Sequence, residues 1–307
     1  MKLYTFTDDT GQTRLGVEDN GLLHDLADAH SLECALRGGK WHGLELLQPD
    51  MLDFIRLGPD ALQIARDVLR SAQQTRSKLP TYPLAQVQLF APIPRPGKIL
   101  CSGINYRSHA EENPGAKMPT EPFFFSKLPS AVIGPGEPIV KPKETEQLDY
   151  EVEFAVVIGK TMKNTPEGKV KDHLFGYTIL HDVSARDVQF KDNQITLGKN
   201  FDTFCPLGPC IVTADELPDP GNVRLRSFVN GRLMQDGTTA DWVFPLPVLL
   251  SRLSHVMTLE PGDIVSTGTP AGVGVFRNPP VFLKSGDIVR LEIEGIGVLE
   301  NPVVAEE

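Results

Sequence analysis

The stretch Leu148-Asp149-Tyr150-Glu151-Val152-Glu153-Phe154-Ala155-Val156-Val157-Ile158-Gly159 reads as a strand closed by Gly159-Lys160. Successive side chains of a strand point to opposite faces, so Glu151 and Glu153 share one face. Val152, Phe154, Val156 and Ile158 take the other and predict contact with a core. Two carboxylates side by side on an otherwise apolar strand repel each other, and burying them is costly unless a cation lies between them. Two solvated glutamates on an edge strand fit the segment equally well. The next apolar run, Phe175 to Leu180, leads into His181-Asp182 and brings a third carboxylate to a strand end.

The chain around this stretch has 307 residues, enough for a large core in one domain or two. Its formal charge of -10 argues against nucleic acid or an anionic membrane as the main partner. No apolar run approaches the roughly 20 residues of a membrane span. The N-terminus lacks an apolar signal core and turns acidic at Asp8-Asp9, so no signal peptide is read. Cys34, Cys101, Cys205 and Cys210 are scattered without CxxC spacing, as reduced thiols of a cytoplasmic protein would be.

Residues 1 to about 28 alternate apolar and polar, with turn signals at Asp9-Thr10-Gly11 and Asp19-Asn20-Gly21, and predict a small antiparallel meander. Asp60 to Arg76 has helical spacing. Prolines at 80, 83, 92, 94 and 96 place a junction near residues 78 to 93. The expected organisation is a small N-terminal α/β domain over 1-90 and a second domain over 91-307. The second part alternates short apolar strands with Gly/Pro turns, so the fold class is α+β and β-rich. Its best helix spans Leu246 to Met257, with His255 as a surface or packing residue.

Three further stretches can carry chemistry. Tyr106 to Glu112 predicts a short helix after the strand Lys98 to Cys101, with His109 and Glu112 facing the same way. A carboxylate holding an imidazole in one tautomer makes a general base, although a surface pair has the same spacing. His181 to Gln189 reads as a strand end turning into a helix, and Ser184 with Asp187 nearly matches a capping box. Arg186, Gln189 and Lys199 could bind an anionic, oxygen-rich ligand, or Arg186 could simply neutralise the acids. Ser266 to Gly274 is a glycine-rich loop whose amides could approach an anion, but it is neither GxGxxG nor a Walker loop.

Taken in order, Gly-Ile-Asn-Tyr-x-x-His-x-x-Glu from Gly103, Leu-Asp-Tyr-Glu-Val-Glu from Leu148, the Ala-Arg-Asp-x-Gln run at Arg186, Gly-Lys-Asn-Phe-Asp from Gly198, Val-Asn-Gly from Val229 and Thr-Gly-Thr-Pro-Ala-Gly-Val-Gly from Thr267 resemble the fumarylacetoacetate hydrolase family. The resemblance spans roughly residues 95 to 303. It implies a mixed β-sandwich roll assembled as a homodimer. It implies that Glu151, Glu153 and Asp182 bind Mg²⁺ or Mn²⁺, and three carboxylates without Cys or His suit a hard cation. It places His109 and Glu112 on a water-activating dyad, Lys199 on enolate stabilisation, and Tyr106, Arg186, Gln189 and Thr269 on substrate binding. The implied reaction is hydrolysis of a C–C bond in a small 2,4-dioxo acid (an acylpyruvate, fumarylpyruvate or diketo-deoxy sugar acid) through an enolate held on the ion. Oxaloacetate decarboxylation and 2-hydroxyhepta-2,4-diene-1,7-dioate isomerisation or 2-oxo acid hydration on the same site are the alternatives, and a non-catalytic keto-acid-binding protein is another. One position departs from the pattern. Ser102 stands where the original fumarylacetoacetate hydrolases carry a further acidic ligand, which favours the smaller three-acid type.

Overall fold

The computed structural model describes residues 1–37, 49–75, 81–113, 115 and 117–307. Its spine is the strand Val152–Ile158, every residue of which is buried. The edge-strand reading is therefore excluded: Val152–Ile158 pairs antiparallel with Leu174–His181 on one side and with Ile264–Ser266 on the other. Among the described residues these belong to an eleven-stranded sheet. On one side it continues from Ile264–Ser266 to a parallel neighbour, Ile99–Ser102, and ends at Phe124–Lys127. On the other it runs from Leu174–His181 to Cys205–Thr213 and then into the N-terminal meander.

The meander forms as its alternation predicts, from Lys2–Thr7, Thr13–Asp19 and Leu22–Asp25. The sheet crosses the expected division at residues 90 and 91, because Leu3 pairs with Ile211. Thr81–Pro83 adds to the meander's edge, and Pro80 with the start of the expected junction lies outside the described residues. Cys34 also lies outside the described side chains, while Cys101, Cys205 and Cys210 are free and buried.

Alternation along the central strand divides its partners. Val152, Phe154, Val156 and Ile158 join a cluster that also holds Leu225, Val289 and Leu291. The last three belong to a five-stranded sheet built on Arg224–Val229 and Ile288–Ile293. Val157, on the face it shares with Glu151 and Glu153, packs instead with Phe175, Ile211 and the N-terminal helices Met51–Arg56 and Pro59–Thr75. The N-terminal segment is thus the cover for one face of the sheet. It stops short of the end where the glutamates lie. Arg76, the last residue of the expected helix, is outside the described residues. Leu246–Val256 is helical, and His255 on it is exposed, as expected.

Strand direction then places the site. Ile99–Ser102 and Ile264–Ser266 run parallel, and both are opposed to Val152–Ile158. Leu174–His181 is also opposed to it, with Val152 across from His181. The C-terminal ends of three strands therefore meet the N-terminal end of the fourth, and Ser102, Ser266, Asp182 and Glu151 converge. Among the described residues no helix is long and apolar enough to cross a membrane.

Close strand approach leaves room only for glycine at 176. A Cβ there would lie 2.2 Å from the Val212 carbonyl oxygen, which is backbone and cannot swing aside. Gly176→Ala should lower stability by about 1–3 kcal/mol, the usual cost of overpacking. Chemical denaturation reads this directly, and an unchanged midpoint would mean that the two strands are not so tightly joined.

Candidate metal centre

Glu151, Glu153 and Asp182 each offer a carboxylate oxygen within 4.8 Å of the others, and all three residues are buried. The expected single strand is broken at Tyr150-Glu151, so Glu151 immediately precedes the strand that carries Glu153, and Asp182 follows the strand beside it. Three cations approach them. Lys199 Nζ donates to Glu151 Oε2 at 2.8 Å and to Asp182 Oδ2 at 2.5 Å. Arg186 Nη2 donates to Glu151 Oε1 at 2.5 Å and its Nε donates to Asp149 at 2.9 Å. Lys127 Nζ donates to Asp182 Oδ1 at 2.6 Å.

The balance is uneven. Four carboxylates, counting Asp149, meet three cations, and all seven groups are buried. Burial opposes ionisation of Glu151, but Arg186 and Lys199 outweigh it and hold its carboxyl well below the usual range. Burial drives Glu153 well above that range, and the charges of Asp182 and Glu151 push the same way. The one hydrogen-bond partner Glu153 has among the described side chains is the Ser266 hydroxyl. Burial pulls the Lys199 ammonium down, yet Asp182 and Glu151 raise it above its ordinary value. The shortfall of countercharge therefore falls on Glu153, whose carboxyl holds its proton more readily than an ordinary one, within an all-oxygen donor set. That is the environment a hard divalent cation relieves, and the residues fit Mg²⁺ or Mn²⁺. His181, next to Asp182, is not part of this group of ligand atoms, and burial, with Lys127 nearby, pushes its pKa down to about 3.

A cavity of about 220 Å³ opens on this cluster, lined by Glu151, Glu153, Arg186, Gln189, Lys199, Thr269, His109 and Ser102 among others. His109 and Glu112 lie on the helix Arg107–Glu112 as expected, with Nδ1 and Oε1 2.7 Å apart. A carboxylate only accepts, so His109 Nδ1 carries a proton, and in the neutral imidazole the lone pair is then on Nε2. Glu112 is itself held by the Gly272 N–H at 2.7 Å. A six-residue helix has little stability of its own. Asp241 supplies the missing cap, accepting from the backbone N–H and the hydroxyl of Ser108 at 2.9 and 2.6 Å.

Several expectations are corrected. Tyr106, expected at the substrate, is fully buried in the hydrophobic cluster and does not line the cavity, because it ends the extended segment before the helix. Thr269 lines the cavity, but its hydroxyl is engaged inward, donating to Val152 O at 2.9 Å and accepting from Gln235 Nε2 at 2.7 Å. Ser184 and Asp187 form no capping box. Ser184 lies in a short strand and bonds Asp182 O, and Asp187 binds Thr145 and Glu146. The glycine-rich loop does meet anions, but they are the protein's own: Gly272 N–H holds Glu112, while Gly274 and Val275 N–H hold Asp149. Gln189 accepts from Arg186 Nη1 at 3.0 Å.

Four residues of the site have no role in the sequence reading. Asp149 stood in the decisive stretch and orients Arg186. Lys127 left one trace, a lone charge after Phe123-Phe124-Phe125-Ser126. Ser266 opened the glycine-rich loop without a role of its own, and Gln235 left no trace. Gln235 accepts from Val152 N at 3.0 Å and so fixes the backbone between the two glutamates.

The comparisons with known proteins agree with this geometry. Residues 98–304 match the fumarylacetoacetate (FAA) hydrolase C-terminal family profile. The chain belongs to the fumarylacetoacetate hydrolase family, an enzyme family. It is 45% identical to the mitochondrial oxaloacetate tautomerase fahd2 of Xenopus laevis over 310 aligned residues, 99% of this chain and 90% of that one. Among solved structures, a fumarylacetoacetate hydrolase from Exiguobacterium antarcticum covers all of both chains at 36% identity and a TM-score of 0.82. A maleylpyruvate hydrolase from Sphingobium sp. SYK-6, in complex with manganese(II) and pyruvate, covers all of both at 35% and 0.75.

A cation-binding site of this kind has a thermal signature. At an ion concentration of about 100 times the dissociation constant, Mn²⁺ should stabilise the protein by roughly 2.7 kcal/mol. Glu153→Gln should abolish most of that gain. Without ion the variant should be at least as stable as wild type, because a neutral amide replaces a buried acid whose ionisation Asp182 and Glu151 oppose. Equal shifts of melting temperature with Mn²⁺ in both proteins would refute the assignment.

Proposed function

We propose that the chain is a divalent-metal-dependent enzyme of small 2-oxo acids, and that its reaction is keto–enol tautomerisation of oxaloacetate. The observation that carries this reading is the His109–Glu112 pair at 2.7 Å opening on the same 220 Å³ cavity as the three acids. Such a volume suits a four- or five-carbon acid. The likeness to an oxaloacetate tautomerase across 99% of the chain favours this reaction among those the cavity could serve.

Glu151, Glu153 and Asp182 would hold Mg²⁺ or Mn²⁺, which supplies Lewis-acid polarisation of the 2-oxo group and neutralises the adjacent carboxylate. The work of the protein's own residues follows from their contacts. His109 Nε2, left as a lone pair by the Nδ1–H donated to Glu112, takes a proton from C3 of the keto acid. The imidazolium that forms is stabilised by Glu112. Lys199 brings positive charge to the side where enolate charge develops. Arg186 holds Glu151 in place while Asp149 holds Arg186. Return of a proton to the C2 oxygen completes the enol, and the reverse order gives the keto form. Phe125 and Phe276 line the cavity and keep bulk water from the carbanion.

A second reading is hydrolysis of an acylpyruvate, with His109 taking its proton from water instead. The maleylpyruvate hydrolase neighbour favours it. Decarboxylation of oxaloacetate and isomerisation or hydration of related dienoic acids draw on the same enolate stabilisation. A keto-acid-binding protein without turnover would have no use for the ordered His109–Glu112–Gly272 chain. The homodimer and the role of Gln189 in holding substrate belong to this proposal too, and light scattering reads the former.

Enol absorbance of oxaloacetate, followed beside pyruvate release from oxaloacetate and from acetylpyruvate at saturating Mg²⁺, separates the readings. The tautomerase reading expects rapid loss of enol without matching pyruvate. Removal of a positioned base costs about 10² to 10⁴ in rate, so His109→Ala should slow tautomerisation by that factor and decarboxylation far less. Lys199→Ala should slow every reaction. Pyruvate release from acetylpyruvate with no acceleration of enol loss would replace the tautomerase by the hydrolase.

A further inference from the structure

The acids and the base come from separate parts of the chain, and one short stretch touches the supports of both. Gln235, on the strand Arg232–Thr238, accepts from Val152 N at 3.0 Å, between Glu151 and Glu153. A few residues on, Asp241 accepts from the backbone N–H and the hydroxyl of Ser108, the residue before His109, at 2.9 and 2.6 Å. Trp242 O accepts from Arg107 Nη1 at 2.7 Å, and Val243 N–H donates to Asn105 O at 2.7 Å. The chain after Asp241 thus runs antiparallel to the entry of the helix Arg107–Glu112, with Tyr106 bridged to Trp242.

A cap satisfies one free N–H in the first turn of a helix. Asp241 does more, because its Oδ2 takes two bonds from one residue and so fixes both the backbone and the side chain of Ser108. Among the described residues, both hydrogen bonds of the Asp241 carboxylate go to Ser108. Ser108 Oγ in turn accepts from Ala271 N at 3.4 Å, and the next N–H of that loop, Gly272, holds Glu112 at 2.7 Å. Glu112 accepts from His109 Nδ1. The imidazole therefore has two supports, Glu112 on its ring and Asp241 on the residue before it, and Ser108 joins them.

We infer that Asp241 is a positioning residue for His109: its grip on Ser108 sets where the imidazole stands relative to the acid cluster. Gln235 and Asp241 lie on one stretch, so the acids and the base are held in register through it. The inference rests on the proposed role of His109 for its effect on rate, but not for its effect on the imidazole itself. Proton transfer from carbon requires an aligned base, and a misplacement of about 1 Å costs up to about 10² in rate.

The test compares wild type with Asp241→Ala and Asp241→Asn, all loaded with Mg²⁺ and labelled with ¹⁵N at histidine. Imidazole NMR, with the His109 signals identified by their loss in His109→Ala, should show the Nδ1–H tautomer in wild type. In Asp241→Ala those signals should move toward a mixture of tautomers. The kcat for loss of oxaloacetate enol should fall about 10- to 100-fold, while KM and Mg²⁺ affinity stay within about twofold. Asp241→Asn keeps an acceptor for Ser108 and should recover most of both readouts. Should Asp241→Ala fail to fold, Ser108→Ala, which removes one of the two bonds, should shift the imidazole signals in the same direction. An ordinary cap would lower the melting temperature of Asp241→Ala and leave the imidazole signals and kcat unchanged, which overturns the inference. A parallel loss of Mg²⁺ affinity, or an Asp241→Asn variant as impaired as Asp241→Ala, overturns it as well. Displaced His109 signals in a protein whose wild type does not interconvert oxaloacetate tautomers would sink the tautomerase reading and leave the positioning of His109 standing.

Discussion

The mutual repulsion of Glu151, Glu153 and Asp182 is the constraint around which the site is built. Buried carboxylates at this spacing cannot all stay ionised without countercharge. Lys127, Arg186 and Lys199 supply part of it from three separate segments of the chain, each through bonds of 2.5 to 2.9 Å. With Asp149 counted as a fourth acid the supply stops one charge short, and the shortfall sits on Glu153. A site with full countercharge would be a structural ion network with little use for a cation. This one keeps a vacancy of charge at the floor of a cavity, and a divalent ion there would leave a net positive site for an anionic substrate.

The fold makes that arrangement possible by burying the central strand on both faces. Val157 packs under the N-terminal helices, while Phe154 and Val156 meet the second sheet. Glu151 and Glu153 lie where the helical cover ends. The glycine-rich loop then ties the pieces together, since its backbone N–H groups hold Glu112 on one side and Asp149 on the other. Through Glu112 and Asp149 one loop thus positions His109 and Arg186, although 77 residues separate these two and no local sequence signal joins them.

Much of this was legible beforehand. Period-2 alternation gave the central strand and its two glutamates, and the i,i+3 spacing gave the His109–Glu112 pair. These are local patterns, and local patterns survive folding. Tyr106 misled because a motif residue next to the His109 helix can serve the core as well as a ligand. The capping box at Ser184 failed because a two-residue strand pairing with Leu148–Asp149 claimed Ser184 first. Lys127 and Gln235 act on the site from strands far away in sequence, and contacts of that kind carry no periodic signature. Asp149 was visible but ambiguous, since its partner Arg186 is 37 residues away.

The central claim is that the three acids share one hard cation. Anomalous diffraction from crystals grown with Mn²⁺ tests it most directly. A single strong peak bounded by oxygens of Glu151, Glu153 and Asp182 at about 2.1–2.3 Å, with the Arg186–Asp149 pair intact beside it, is the predicted result. A peak elsewhere, or an acid cluster that stays bridged by Lys199 with no peak at saturating Mn²⁺, would contradict the account.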